Sequence, residues 1–196
     1  MNKFFKRKKG IVETLITASY PLRMKVSEMT GIGISMFKNT ENIKAPVSIY
    51  DLRMNLNVGY EISFERYRGK KLLIVNVASK CGYTPQYSSL ETLYKSEDKL
   101  EILGVPSNDF GSQEPGQDKE IADFCEMNFG VSFPLFQKSM VTGKDKNPVF
   151  DWLTDKTKNG WNNTEPGWNF YKYLVDEEGN LMSVSSSSVE PAAIML

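Results

Sequence analysis

KLLIVNVASKCGYTPQYSSLETLYKSEDKLEILGV, residues 71–105, carries an α/β signature. From Leu72 to Ala78 the chain is an almost unbroken run of leucine and β-branched residues, and a run that is apolar on both faces is a central strand of a covered sheet. A polar turn follows, and then a segment in which Tyr87, Leu90, Leu93 and Tyr94 recur on one side of a helix. A second apolar run, Leu100 to Val105, closes the pattern. Strand, helix and strand joined by short turns make a right-handed βαβ unit.

On the N-terminal side, residues 46–70 show short alternating stretches around Asn57 to Gly59, the marks of a hairpin. On the C-terminal side, QDKEIADFCEMN (117–128) reads as a helix with Ile121, Phe124 and Cys125 turned inward. WNFYKYLVDEEGNLMSV, from residue 168, reads as a closing hairpin that pivots on Glu178 and Gly179. The fold class is therefore α/β, a central sheet flanked by helices.

Composition sets the limits. A chain of 196 residues with 40% hydrophobic and 24% charged content holds one globular domain with residues to spare. Lys plus Arg and Asp plus Glu are both 24, so the chain as a whole lacks the basic footprint of a nucleic-acid binder. It contains no histidine, which excludes a Ser/His/Asp triad, a Cys/His pair and a histidine general base. With two cysteines and no histidine, a zinc site built from those ligands alone is excluded too.

The charge is uneven along the chain: residues 1–45 hold nine Lys or Arg against three Glu, which marks a basic N-terminal extension ahead of a domain at 46–196. Lys3, Lys6, Arg7, Lys8 and Lys9 precede Ile11, Val12, Leu15, Ile16 and Leu22 at roughly helical spacing. Three readings stand: a packed helix or disordered tail, an amphipathic segment in peripheral contact with an anionic membrane, and a targeting segment. Glu13 inside the apolar stretch and the lack of an A-x-A cleavage site argue against secretion, so the expected location is cytoplasmic. No run of about 18 apolar residues is present, so no span is expected.

Cys81 lies just past the C-terminal end of the central strand, at the crevice where open α/β sheets meet ligands. A helix start there favours thiolate. Lowering a thiol pKa from about 8.5 to roughly 6 raises the thiolate fraction about 30-fold at neutral pH, but nucleophilicity falls roughly 13-fold. The net gain is about two, so fast attack on a peroxide needs groups that stabilise the departing oxygen.

NVASKCGYTPQYSSLETLY (76–94), PSNDFGSQEPG (106–116) and WNF (168–170), in that order, resemble the glutathione peroxidase family, a branch of the thioredoxin fold. The resemblance runs from about residue 46 to about 190. It implies a thioredoxin-like fold with a central mixed sheet, and a catalytic tetrad of Cys81, Gln113, Trp168 and Asn169. The amides and indole of such a set orient thiolate and peroxide without charge, metal or cofactor. Taken singly, Trp168 reads as core, Gln113 as a loop residue and Asn169 as a turn former. Where the family commonly has P-C-N-Q-F, this chain has Pro106, Ser107, Asn108, Asp109 and Phe110; Asp109 either raises the Cys81 pKa or pairs with a lysine.

Cys125 matches the segment that bears the resolving cysteine in thioredoxin-dependent members, which implies a Cys81 sulfenic acid, condensation with Cys125, and recycling by thioredoxin, with glutathione as the other reductant. Its bland alternative is a buried small hydrophobe. The loop 154–167 is short where tetrameric members carry an insertion, which implies a monomer with an open site face. The expected function is a thiol peroxidase acting on hydrogen peroxide and organic or lipid hydroperoxides. The alternatives are a peroxide sensor that relays oxidation to a partner protein and a catalytically silent thioredoxin-fold binding module.

Overall fold

The structure, a computed structural model, describes residues 35–194. The strands are β1 (Met36–Lys38), β2 (Arg53–Asn55), β3 (Glu61–Ser63), β4 (Lys71–Val77), β5 (Leu100–Pro106), β6 (Lys172–Val175) and β7 (Leu181–Ser185). The helices are α1 (Gln86–Ser96), α2 (Asp118–Phe129), α3 (Pro148–Leu153) and α4 (Lys156–Asn159). Five strands form a mixed sheet in the order β1-β7-β6-β4-β5, in which β4 and β5 run parallel and the other pairings are antiparallel. β2 and β3 form a separate antiparallel hairpin at the expected place.

The double-sided apolar run of β4 does what its composition dictates. Leu73, Val75 and Val77 face α1 and α2, packing with Tyr87, Leu90, Ile121 and Cys125. Leu72 and Ile74 face the opposite layer, with Phe150 and Trp152 of α3 and Met54 and Ile62 of the hairpin. Side chains alternate along a strand, so one segment supplies both cores and the sheet is covered on both faces. The outer edge of β5 is closed by the segment after α2, where Gly104 donates to the Pro134 carbonyl and accepts from Phe136 N–H.

One expectation changes. Residues 36–45 do not stand apart from the domain: Met36–Lys38 is the edge strand paired with β7, and the Asn39 amide donates to the Leu181 carbonyl at 3.2 Å. Ala45 N–H donates to Asn180 Oδ1 at 3.1 Å. Backbone pairing to β7 outweighs the charge asymmetry that suggested a boundary at residue 45. The basic stretch at Lys3–Lys9 and the apolar residues after it lie outside the described residues. No helix among the described residues is long and apolar enough to cross a membrane.

Gly160, at the end of α4, has φ +101°, and a Cβ there would stand 2.8 Å from the Lys44 carbonyl oxygen. Only glycine tolerates both the backbone conformation and that approach. Gly160→Ala is expected to cost about 2 kcal/mol or more, from strain and from displacement of residues 43–45. Urea unfolding of the two proteins measures it; equal midpoints would show that the 43–45 segment moves freely.

Candidate active site

The turn from Ala78 to Pro85 positions Cys81. Thr84 Oγ1 donates to the Ala78 carbonyl at 2.7 Å and accepts from Cys81 N–H at 3.0 Å, so one hydroxyl ties both ends of the turn. Tyr83 N–H points at Cys81 Sγ, 3.4 Å away. Helix α1 begins only at Gln86, so Cys81 sits in the turn before the helix rather than at its first residue, and the nearest backbone donor comes from that turn. Lys80 is exposed.

Two further segments close on this turn. Lys80 N–H donates to the Gln113 carbonyl at 3.0 Å, and the Asn169 amide donates to Gln113 Oε1 at 2.9 Å. Trp168 packs against the apolar cluster that contains Cys81, Tyr87, Cys125 and Phe170, and its ring centroid lies 5.8 Å from that of Phe110. The structure thus joins Gln113 to Asn169 directly and to the residue before Cys81, and puts Cys81, Trp168 and Cys125 around one cluster. Asn169 is fully buried, yet its Oδ1 has no hydrogen-bond partner, and neither has the buried indole Nε1 of Trp168. Such orphaned groups are rare enough in folded proteins to require a reason.

The sequence reading missed what holds the 168–170 loop. Asn76, wholly buried in β4, donates from Nδ2 to the Trp168 carbonyl at 3.0 Å and accepts from Tyr171 N–H at Oδ1, 2.9 Å. Its own carbonyl accepts from Phe170 N–H at 2.6 Å. These three bonds bracket Phe170, which holds the left-handed φ of +65° that side-chain-bearing residues seldom adopt. An asparagine amid the apolar 72–78 run was the available signal, because a central strand tolerates such a side chain only when it is fully bonded.

Glu114 is a second unassigned residue. It is 1% exposed, and its Oε2 accepts from Ser79 N–H at 2.8 Å and from Ser79 O–H at 2.9 Å, which anchors the start of the Cys81 turn. Burial raises its pKa; the Ser79 bonds and the fields of Lys138 and Lys80 oppose the rise. A groove of about 390 Å³ runs beside it, with Ser79, Lys80, Pro115, Glu120 and Phe124 on its walls.

Asp109 is bonded to the 139–143 loop rather than to a lysine. Its Oδ2 accepts from the N–H groups of Val141 and Thr142, at 2.8 and 3.0 Å, and from the Thr142 hydroxyl at 3.0 Å, so the carboxylate fastens the 139–143 loop. Ser107, fully buried, accepts from Asp109 N–H at 3.3 Å.

Cys125 lies in the last turns of α2 with no exposed surface, and it is not bridged to Cys81. Burial pushes its thiol up to about 11, and the negative field of Glu114 adds to the rise. The Tyr87 hydroxyl interacts with the thiol and works against it. The geometry of that contact falls short of a true hydrogen bond, and Tyr87 Oη finds no other partner. In this state Cys125 is a neutral thiol held inside the helix layer.

The glutathione peroxidase family profile matches residues 49–154. Glutathione peroxidase-like peroxiredoxin 2 of Saccharomyces cerevisiae is 44% identical over 149 residues, 75% of this chain and 92% of that protein. Glutathione peroxidase-like peroxiredoxin GPX5 of Chlamydomonas reinhardtii is 47% identical over 147 residues, 74% of this chain and 90% of that protein. Among solved structures, the crystal structure of Trgpx in apo form superposes with a TM-score of 0.60 at 32% identity, covering 76% of this chain and 91% of that one. A thioredoxin-like mixed sheet, the gathered turn and loops, and relatives of this similarity over most of their own length agree: the chain belongs to the glutathione peroxidase family and is a peroxidase.

Proposed function

We propose that the chain reduces hydrogen peroxide and organic or lipid hydroperoxides through Cys81, with Gln113, Trp168 and Asn169 as the polar groups around the reacting atoms and Cys125 as the resolving thiol. The observation that carries this reading is the pair of unfilled polar atoms in one loop, Trp168 Nε1 and Asn169 Oδ1: a donor and an acceptor, both buried and both without a protein partner. A hydroperoxide, which donates from O–H and accepts at either oxygen, fills both needs.

In the first step the Cys81 thiolate attacks the outer oxygen of the peroxide, the O–O bond breaks, and the leaving alkoxide or hydroxide takes a proton to become alcohol or water. Sulfur loses two electrons and becomes a sulfenic acid. In the second, the Cys125 sulfur displaces that hydroxyl as water and a disulfide forms. A thioredoxin dithiol then returns two electrons by thiol–disulfide exchange. The names of the relatives, glutathione peroxidase-like peroxiredoxins, favour a thiol-protein cycle.

The buried state of Cys125 adds a conformational step. At neutral pH a thiol titrating near 11 is thiolate in about one molecule in 10⁴, against a few per cent for an ordinary thiol. The C-terminal part of α2 therefore opens before resolution, and the disulfide then forms with the two Cα atoms within about 7 Å.

Cys81→Ser is expected to abolish NADPH-coupled turnover with thioredoxin and its reductase, because an unactivated serine hydroxyl does not attack peroxide at neutral pH. Cys125→Ser should consume about one equivalent of peroxide in a burst and then stop, with its Cys81 peptide gaining two oxygens at high peroxide as sulfinic acid. Normal thioredoxin turnover by Cys125→Ser would reduce Cys125 to a packing residue. Sustained wild-type turnover would exclude the silent binding module and disfavour a sensor that transfers its oxidation once.

The opening step has its own test at Gly130, which caps α2 with φ +63° and has open space where a Cβ would stand. Gly130→Ala introduces about 1–2 kcal/mol of left-handed strain that opening relieves. Disulfide formation, followed by tryptophan fluorescence after one equivalent of peroxide, should accelerate roughly five-fold or more, since 1.4 kcal/mol is a factor of about ten in such an equilibrium. The rate of Cys81 oxidation should not change. An unaltered disulfide rate would mean that α2 stays closed during resolution.

A further inference from the structure

Lys172 is the most unusual charged side chain among the described residues. It sits in β6, two residues past the end of the Trp168–Phe170 loop, with no exposed surface. Across the sheet it faces Val75 of β4 and Ser185 of β7 in register. Its Nζ donates to the Phe170 carbonyl at 2.8 Å and to the Ser187 carbonyl at 3.3 Å. Isolated lysines are almost never fully buried, because removing an ammonium from water is costly unless its hydrogens are used.

The two carbonyls belong to a larger network. Ser187 Oγ donates to the Asn169 carbonyl at 2.6 Å, and the Gln86 amide, at the first residue of α1, donates to the Ser187 carbonyl at 2.8 Å. The Lys172 nitrogen thus joins the 168–170 loop to the 185–188 segment, and the helix that follows the Cys81 turn reaches the same Ser187 carbonyl through Gln86. Asn76 holds the front of the loop at Trp168 and Tyr171, whereas Lys172 and Ser187 hold its back at Phe170 and Asn169.

We propose that Lys172 is a positioning residue for peroxide reduction: its side-chain nitrogen, bridging the Phe170 and Ser187 carbonyls, fixes the left-handed Phe170 and so sets the Asn169 amide against Gln113. This rests on the reading of Asn169 and Gln113 as groups around the reacting atoms. Lys172 touches neither thiol nor peroxide in this role; it acts through the backbone of the loop. A misplacement of about 1 Å costs up to roughly 10² in rate, so a loop held by two or three bonds is sensitive to losing one.

The protonation of Lys172 supplies a signature. Burial lowers its pKa to about 7, and the carboxylate of Glu190, in the segment before the last turn, opposes that shift. The other groups facing it are uncharged: the Ser185 and Ser187 hydroxyls, the Gln86 amide and Val75. As an ammonium, Lys172 makes charge-assisted bonds to its two carbonyls, about twice as strong as those of the neutral amine. The loop is therefore held most firmly below pH 7 and loosens as pH rises through it.

The test is the stopped-flow rate constant for Cys81 oxidation by hydrogen peroxide from about pH 5.5 to about 9, which spans the Lys172 titration, divided at each pH by the separately titrated Cys81 thiolate fraction. For wild type this normalised constant should fall as pH rises through about 7. In Lys172→Met, which keeps the length of the side chain and removes the donor, it should be lower by about tenfold and flat with pH, with the thiolate titration unchanged. Lys172→Met with the wild-type rate and profile would overturn the proposal. Should that variant not fold, the wild-type profile carries the test: a normalised constant that stays flat through about pH 7 would overturn the proposal equally, and Ser187→Ala, which keeps Lys172 and both of its carbonyls, should retain the inflection. A wild-type protein whose Cys81 does not react with peroxide at all would instead overturn the assignment of the site itself.

Discussion

The buried amide of Asn76 is where the sheet becomes a site. β4 is the interior strand, with β5 on one side and β6 on the other, and its side chains feed both cores. At one position that strand gives up an apolar contact for a polar side chain, and every hydrogen-bonding atom of that residue which faces the 168–171 segment is used. A central strand is the stiffest part of such a fold, so a loop bonded to it inherits its position with little freedom. Trp168 and Asn169 are thereby held by the best-packed element of the molecule rather than by their own flexible loop.

Stiffness is bought here with buried polarity. Asn76, Glu114, Lys172 and Asn169 are each less than 2% exposed, and each makes hydrogen bonds within the protein. Burying such groups costs several kcal/mol apiece unless they are bonded, so each must keep its partners for the fold to hold. What the network supplies is a single arrangement of three chain segments that are distant in sequence: the Cys81 turn, the loop at Gln113 and the loop at Asn169. Among the buried polar atoms left without a partner, Trp168 Nε1 and Asn169 Oδ1 lie side by side in the one loop, and in the proposed function they are the pair that a hydroperoxide complements.

The two cysteines are both buried, but in different settings. Cys81 stands in a turn, with a backbone N–H directed at its sulfur. Cys125 is enclosed by α2 and the aromatic rings around Tyr87, which hold it as a neutral thiol. In the proposed cycle this division sets the order: Cys81 meets the peroxide first, and Cys125 follows through local opening of a helix end. Helix ends open at low cost, because their last carbonyls depend on a few capping bonds, here those of Gly130 and Val131 to Glu126 and Cys125.

By itself the sequence determined the layers. The two-sided apolar run 72–78, the helical spacing of Tyr87, Leu90 and Leu93, and the turn at Glu178 and Gly179 are local patterns, and local patterns report which faces must be buried. The motifs around Cys81, Gln113 and Trp168 pointed to the candidate site residues through their joint resemblance to the glutathione peroxidase family, since singly those residues read as core, loop and turn. Tertiary structure alone decided the rest. It placed Met36–Lys38 in the sheet, bonded Asp109 to Thr142, and gave Asn76, Glu114 and Lys172 their partners. The physical reason is common to all of these: a polar side chain in a sequence has the same composition whether it faces water or a carbonyl far along the chain, and only the folded path of the backbone says which.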